Sequence, residues 1–334
     1  MSTLAAPERT ALAPRVRSLL ARRGPLLVVL AMTVYLAVTA KGFLGVANVT
    51  ASLTQAAPVA LVAMGLAIVV IGGGDDVVVG GIDLSIPATA ALATAIVSDQ
   101  LTTYGTPFAV AFALGILVTT VFGLLNAILV GWVGLSSILA TLAVYVAVVG
   151  ITRVVSGNRR IDVADPLIVA VRDTRVAGIP LAAVLMLIVA AVLVFVMART
   201  PYGRRLQAVG GNRDAAIFAG IPAQRYIMST FVIAGVVAGL SALLLIARGS
   251  GSSPGIDERL MVDMVLATFL GAAFTRRGTV TVAGSVLGAL FVALLSNGLI
   301  LSRVANAWVD GFKGVLILLV VAAAAARKSE EARA

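Results

Sequence analysis

The sequence predicts an all-α fold: a polytopic membrane helix bundle of about ten spans, some short or broken, with both termini cytoplasmic. Three observations predict it. Of the 334 residues, 60% are hydrophobic and 12% charged, with a mean hydropathy of +1.08. A soluble domain of that length cannot hide so much apolar surface, which excludes soluble enzymes and nucleic-acid-binding domains. The apolar residues fall into about ten runs between charged or Gly/Pro-rich breaks, near the roughly 20 residues a bilayer core requires. Finally, fifteen of the 25 cations lie in four places abutting those runs: Arg9 to Arg23, Arg199 to Arg225, Arg276–Arg277 and Arg327 to Arg333. That is the positive-inside pattern of cytoplasmic segments, not a nucleic-acid face.

Residues 1–24 read as a cytoplasmic N-terminal segment, 25–326 as the transmembrane domain and 327–334 as a cytoplasmic tail. The first run, 25–40, ends on Val38-Thr39-Ala40, which has the form of a signal cleavage site. Its basic leader is long for a signal peptide, so the run reads as a retained anchor. Further spans are expected at 50–72, 82–99, 107–130, 135–152, 179–198, 226–247, 260–275, 279–301 and 306–326. Ten spans return the chain to its starting side and put the 199–225 loop, Arg276–Arg277 and the tail inside. Segment 153–178 runs against this pattern. It belongs outside, yet holds Arg153, Arg159, Arg160, Arg172 and Arg175, only partly offset by Asp162, Asp165 and Asp173. The spans are rich in Ala, Gly and Val, which let helices approach closely in lipid; 315–326 reads as ordinary lipid-facing helix.

Cysteine and histidine are absent. Disulfides, thiol catalysis, His-based metal sites and the commonest general base go with them. Lysine occurs only as Lys41, Lys313 and Lys328, none after a glycine, so the chain has no Walker A loop. No catalytic residue, metal site or cofactor is assigned, and any ATP hydrolysis belongs to another chain.

Gly80-Gly-Ile-Asp-Leu-Ser-Ile-Pro87 reads as a turn entering a helix: two glycines permit a bend, Asp83 or Ser85 can cap, and Pro87 fits a first turn. An Asp at membrane depth must be paired or face a polar cavity. The stretch before it, Gly72 to Val79, reads as a lengthened cytoplasmic turn keeping Asp75–Asp76 in water, with a metal site as the sharper alternative. A path for an uncharged polar solute needs hydrogen-bonding groups without net charge. Gln55, Asn126 and Asn297 are of that type, and with Asp83, Ser85 and Thr141 they are the path candidates. Gln55, Asn126 and Asn297 read equally as interhelical glue.

The 199–225 loop is the most informative segment. Asn212 is a good N-cap, Asp214 sits in a first turn where the helix dipole favours an anion, Gly220 fits the position after the helix, and Pro222 forbids continuation. A cytoplasmic helix of about two turns is expected, too short to cross a bilayer. It is either a device for docking another protein or a tidy connector.

Gly210-Gly-Asn-Arg-Asp-Ala-Ala-Ile-Phe-Ala-Gly-Ile221 resembles the coupling-helix loop of ABC importer permeases of the ribose/simple-sugar type. Three further stretches resemble that family in the expected order. They are Gly80-Gly-Ile-Asp-Leu-Ser85; Gly123-Leu-Leu-Asn-Ala127 with Ser137-Ile-Leu-Ala-Thr-Leu142; and Asn297-Gly-Leu-Ile-Leu301 with Trp308 and Lys313-Gly314. The resemblance covers roughly 45–326. It implies that Gly211, Asn212, Arg213, Asp214, Ala215, Ala216 and Gly220 form a helix pressed into a cleft of a separate ABC ATPase subunit. Arg204, Arg205 and Arg213 are placed to add charge-assisted contacts or merely to signal topology. It further implies an extracytoplasmic solute-binding protein, a second permease copy or homologue, a lipid surround and a bacterial inner-membrane location. The sequence departs from the family at Ile217, where an Arg is usual, at Gly271-Ala272 and Arg276-Arg277-Gly278, and in the inserted Gly72–Val79 stretch. Solute classes open to such a permease are pentoses and hexoses first, then autoinducer sugars, nucleosides or branched-chain amino acids.

The main rival is an ion-coupled secondary carrier with Asp83, Asp263 or Asp310 in a proton or sodium path. A capped cytoplasmic helix discriminates, since a carrier has no ATPase to dock. A membrane-embedded enzyme would need a carboxylate pair in a cavity, and no such spacing is present.

Overall fold

The computed structural model describes residues 14–74, 81–275 and 278–331. Asp75–Asp76, most of the Gly72–Val79 insertion and Arg276–Arg277 lie outside the described residues. Each of the ten predicted apolar runs coincides with a helix: α1 (Pro14–Thr39), α2 (Val46–Gly73), α3 (Ile86–Thr102), α4 (Phe108–Gly131), α5 (Ser137–Ser156), α7 (Leu181–Arg199), α10 (Ala223–Gly249), α11 (Ile256–Gly271), α12 (Val282–Leu301) and α13 (Asn306–Glu331). Among the described residues six of them, α2, α4, α5, α7, α10 and α12, are long and apolar enough to cross a membrane. α1 starts inside the segment assigned to residues 1–24, because its basic first turns continue helically into the apolar run.

α2 is the axis of the bundle. Every residue from Ala56 to Val70 is buried, packed by α10, α11, α12 and α7. Helices in lipid associate by close contact rather than by the hydrophobic effect, so small residues mark the tight crossings. A Cβ on Gly123 would stand 2.5 Å from the Phe231 carbonyl oxygen, and one on Gly235 2.6 Å from that of Thr119, so α4 and α10 touch backbone to backbone. Gly239, four residues beyond Gly235, continues the stripe against Ile116. Gly284 and Gly288 do the same between α12 and α11, where a Cβ on Gly288 would collide with the Ala267 carbonyl. α4, α5 and α7 form the outside and expose Leu117, Val121, Val146, Val192 and Phe195.

The 153–178 segment holds structure that its polarity concealed. Asp165 caps α6 (Pro166–Asp173) by accepting from the Leu167 and Ile168 amides, with Pro166 at the first position. β1 (Ile161–Asp162) pairs antiparallel with β4 (Gly251–Ser252), and β2 (Arg175–Val176) with β3 (Ile179–Pro180). The arginines that upset the charge pattern are partly consumed here. Arg160 bonds Asp162, Ser253 and the Gly249 carbonyl, and Arg172 bonds Asp173 and Ser250. Arg172 in turn holds the Asp173 carboxyl below its ordinary pKa.

Candidate functional site

Two short helices, rather than the single one expected, make up the 199–225 loop: α8 (Pro201–Gly211) and α9 (Arg213–Phe218). Thr200 caps α8, accepting from the Gly203 amide at 3.3 Å, and Pro201 starts it. That Thr-Pro signal is of the same kind as the one at Asn212 and went unread. α8 is seated on the end of α2: Leu206 and Val209 are buried, and a Cβ on Gly210 would collide with the Ile71 carbonyl oxygen. Tyr202 shares a 2.7 Å hydrogen bond with Ser229 of α10, and its ring lies 5.5 Å from that of Tyr226. Burial raises the Tyr202 phenol above its ordinary pKa, keeping it neutral.

The caps of α9 fall where the sequence puts them. Asn212 is extended (φ −156°, ψ 103°) and its Oδ1 accepts from the Ala215 amide at 2.9 Å. Asp214 stands in the first turn. Gly220 adopts φ +77°, its amide bonding the Ile217 carbonyl at 2.9 Å while the Ile221 amide reaches the Ala216 carbonyl at 3.0 Å. This is the Schellman arrangement that closes a helix through a left-handed glycine. Ala216 is buried against Val209 and Ala223, with Ile221, Tyr226 and Ile227 around them. Arg213 bonds Gln224 at 2.6 Å, and Gln224 bonds the Gly131 carbonyl at the end of α4. Gly211, Asn212, Arg213, Asp214 and Ala215 are exposed, as is Ile217, and Phe218 is 91% exposed. The result is a rigidly capped helix packed on α8 and α10, tied through Gln224 to the end of α4 and through α8 to the ends of α2 and α7, and displaying two apolar side chains. On α8, Arg205 lies within 3.3 Å of the Tyr226 hydroxyl, while Arg204 donates to the Arg199 carbonyl at 3.4 Å. Beside α8 the ends of α2, α7 and α12 leave a cavity of about 490 Å³ bordered by Met197, Arg204, Gln207 and Thr281.

Four of the six path candidates meet in one buried knot. Asp83 Oδ1 accepts from the Ser85 amide at 2.9 Å and from the Ser85 hydroxyl at 2.6 Å. Asn126 of α4 donates to the Ser85 hydroxyl at 2.7 Å and to Asp83 Oδ2 at 3.4 Å. Thr141 of α5 accepts from the Leu84 amide at 3.1 Å and donates to the Ser137 carbonyl at 2.7 Å; the Ile82 amide donates to Ser137 Oγ at 3.1 Å. Asp83, Ser85, Asn126 and Thr141 are all buried within this chain. The knot therefore ties the extended residues 81–85 to α4 and α5, a packing job. Ser85 is the N-cap residue of α3, but the cap is made by Asp83 from two residues earlier. Asn297 of α12 donates to Ser52 of α2 at 2.9 Å, also glue between helices. Gln55 alone lies half-buried, where α2 emerges from its enclosure.

Sequence reasoning left Lys313 without a role. Its Nζ stands 2.7 Å from Asp263 Oδ1 on α11 and 3.7 Å from Asp310 Oδ1 on its own helix. The two carboxylates named for an ion path are thus each beside one ammonium, and the third, Asp83, is held by Ser85 and Asn126.

The chain matches the family described as branched-chain amino acid transport system, permease component, over residues 48–321. It belongs to that family of permeases. Similar proteins include the D-allose transport system permease of Escherichia coli (strain K12), 29% identical over 83% of this chain and 82% of that protein. The ribose import permease of Bacillus subtilis (strain 168) is 28% identical over 89% and 90%, and the L-arabinose ABC transporter permease of Azospirillum brasilense 25% identical over 99% and 98%. No solved structure matches. As a permease with several apolar helices the chain is a multi-pass membrane protein and a transport component, not an enzyme.

Proposed function

We propose that this permease is the path-forming subunit of an ABC importer for a small sugar of the pentose or hexose class. A separate ATPase subunit grips α9, an extracytoplasmic binding protein delivers the solute, and a second permease copy or homologue completes the path within the lipid. In this reading 25–326 is the permease domain, crossing about ten times. Residues 1–24, the 199–225 coupling loop and 327–334 lie in the cytoplasm of a bacterial cell. The observation that carries the coupling role is the capped, exposed α9 with Phe218 outermost; the relatives that transport allose, ribose and arabinose supply the solute class. Exposed aromatic anchors on a rigid element are what a partner's pocket recognises.

The test is reconstitution with candidate ATPase and binding-protein subunits, measuring ATP-dependent uptake of ribose, allose, xylose and arabinose, with leucine included because the family description names branched-chain amino acids. Uptake of a sugar that stops without ATP supports the proposal. Uptake that survives ATP depletion and collapses with the ion gradient sinks it in favour of a secondary carrier.

A further inference from the structure

A second polar cluster lies at the opposite end of the bundle from α9. α10 begins four residues after Ala219 and ends at Gly249, so Arg248 marks the far end. α11 and α13 both start at that end, after β4 and after α12. Asp263 and Lys313 each sit seven residues into their helices, about 10 Å down from the start. α2 reaches the far end through Gln55, the last half-buried residue before the enclosed stretch from Ala56.

These residues converge. Arg248 donates to the Gln55 carbonyl at 3.4 Å and lies near enough to Asp263 to interact with its charge. Pro58 removes the amide that would bond the Thr54 carbonyl, loosening the α2 ladder where Arg248 reaches it. Asp263 pairs with Lys313, their side chains 19% and 8% exposed, while the Asp310 side chain is 47% exposed and Arg248 is also exposed. The set holds two cations and two carboxylates and is neutral overall.

Arg248 and Asp310 are exposed within about one turn of the far ends of α10 and α13, where water or a polar ligand can reach them. We propose that Arg248 and Asp310, flanking the Asp263–Lys313 pair beside Gln55, are the contact that an uncharged polyhydroxylated solute meets on entering the permease. The quartet offers donors and acceptors to hydroxyl groups while asking for no compensating charge, and charge-assisted bonds to hydroxyls are the stronger kind. The buried pair holds α13 against α11 and positions Asp310; Arg248 and Asp310 reach the solute. The knot around Asp83 cannot serve, since it is sealed inside one chain. This inference rests on the sugar-permease reading.

The chain contains no cysteine, so single-cysteine variants need no prior background. Gln55→Cys, Arg248→Cys and Asp310→Cys are made in the complete transporter, with Leu187→Cys as the comparison, an exposed apolar position six residues into α7 from the same end. A membrane-impermeant cationic methanethiosulfonate is expected to modify the first three much faster than Leu187→Cys, and a transported sugar to slow the reaction at Arg248→Cys. Arg248→Leu should raise the KM for uptake about tenfold or more, and Arg248→Lys should restore part of it, as expected for loss of one charged hydrogen bond. An Arg248→Cys thiol as slow as Leu187→Cys overturns the proposal, as does modification that no transported sugar slows. If the unmodified complex takes up none of the four sugars, the sugar reading itself fails and the proposal with it. Uptake by that complex beside an unreactive Arg248→Cys removes the proposal alone.

Discussion

If an ATPase subunit grips α9 as proposed, that grip can be weakened at the caps without touching the contact surface. α9 has six residues, far below the roughly 12–15 at which isolated helices become even marginal in water. Its order rests on Asn212, on Gly220 and on Ala216 packed against Val209 and Ala223. Asn212→Ala removes the 2.9 Å bond to the Ala215 amide, a loss of about 1 kcal/mol. Gly220→Val places a β-branched residue at φ +77°, which costs about 1–2 kcal/mol or more. If the ATPase binds only the formed helix, each kilocalorie raises the apparent Kd by up to about fivefold, and the double variant by up to about 30- to 150-fold. Two caps on one short helix share its unfolding, so the effects need not add.

The assay is binding of the purified ATPase subunit to the detergent-solubilised permease, read beside amide hydrogen exchange over residues 212–221. The melting temperature of the permease should hold, because α9 lies outside the tightly packed crossings of α2, α4, α10, α11 and α12. Exchange should rise at Ala215 and Ile221, whose amides the caps bond, as the Kd rises. A double variant whose α9 has lost protection but whose Kd is unchanged would refute the reasoning.

Phe218→Ser leaves both caps intact and removes the outermost apolar contact; it should cost the ATPase at least about 2 kcal/mol of binding with no change in hydrogen exchange, checked by the same titration. Asn126→Leu removes the donor to Ser85 and Asp83 and leaves a buried carboxylate short of a partner, destabilising the chain by about 1–3 kcal/mol in a detergent melt. Gly288→Val forces α11 and α12 apart and should cost about 1–3 kcal/mol or abolish folded yield, whereas the same change at the uncrowded Gly314 should be mild; fluorescence-detected gel filtration separates the two. Lys313→Met strands Asp263 and should be destabilising by about 3–5 kcal/mol, much of it recovered in Lys313→Met with Asp263→Asn, which a double-mutant cycle of melts would show.

What the sequence disclosed followed the range of the interaction. The α9 caps depend on residues within nine positions of one another, and both were legible at Asn212 and Gly220. The helical runs were legible because apolarity is carried by each run separately, and six of them among the described residues have the length and apolarity a membrane crossing needs. α6 and α8 begin at Asp165-Pro166 and Thr200-Pro201, the same kind of start signal, where sequence alone predicts no helix in 153–178 and a single one in 199–225. The partners of Asp83, Asn126, Asn297 and Lys313 were illegible for a physical reason. Each bonds a residue 41 or more positions away, as in Asn126 with Ser85 or Asn297 with Ser52, and a polar side chain at membrane depth gives no sign of which neighbour will satisfy it. Polarity alone therefore picks out Asp83, Ser85, Asn126, Thr141 and Asn297 without showing that each is bonded to another helix or segment of the same chain.

The same helices join α9 to Arg248. α10 starts just past α9, spans 27 residues and about 40 Å, and ends at Gly249, one residue beyond Arg248. α2 is held at one end by α8, through Gly210 against Ile71, and emerges at the other beside Arg248 at Gln55. Between those ends α2 is sheathed from Ala56 to Val70 and touches α10 where Gly65 meets Ala234. Close-packed helices without voids resist bending and transmit displacement as rigid bodies. If an ATPase shifts α9 as proposed, the displacement should reach Arg248 through α10 and Gln55 through α8 and α2. Such a coupling earns its name only if both ends bias one equilibrium. Modification at Arg248→Cys should accordingly change between nucleotide-bound and nucleotide-free ATPase and lose that dependence in the Asn212→Ala, Gly220→Val background.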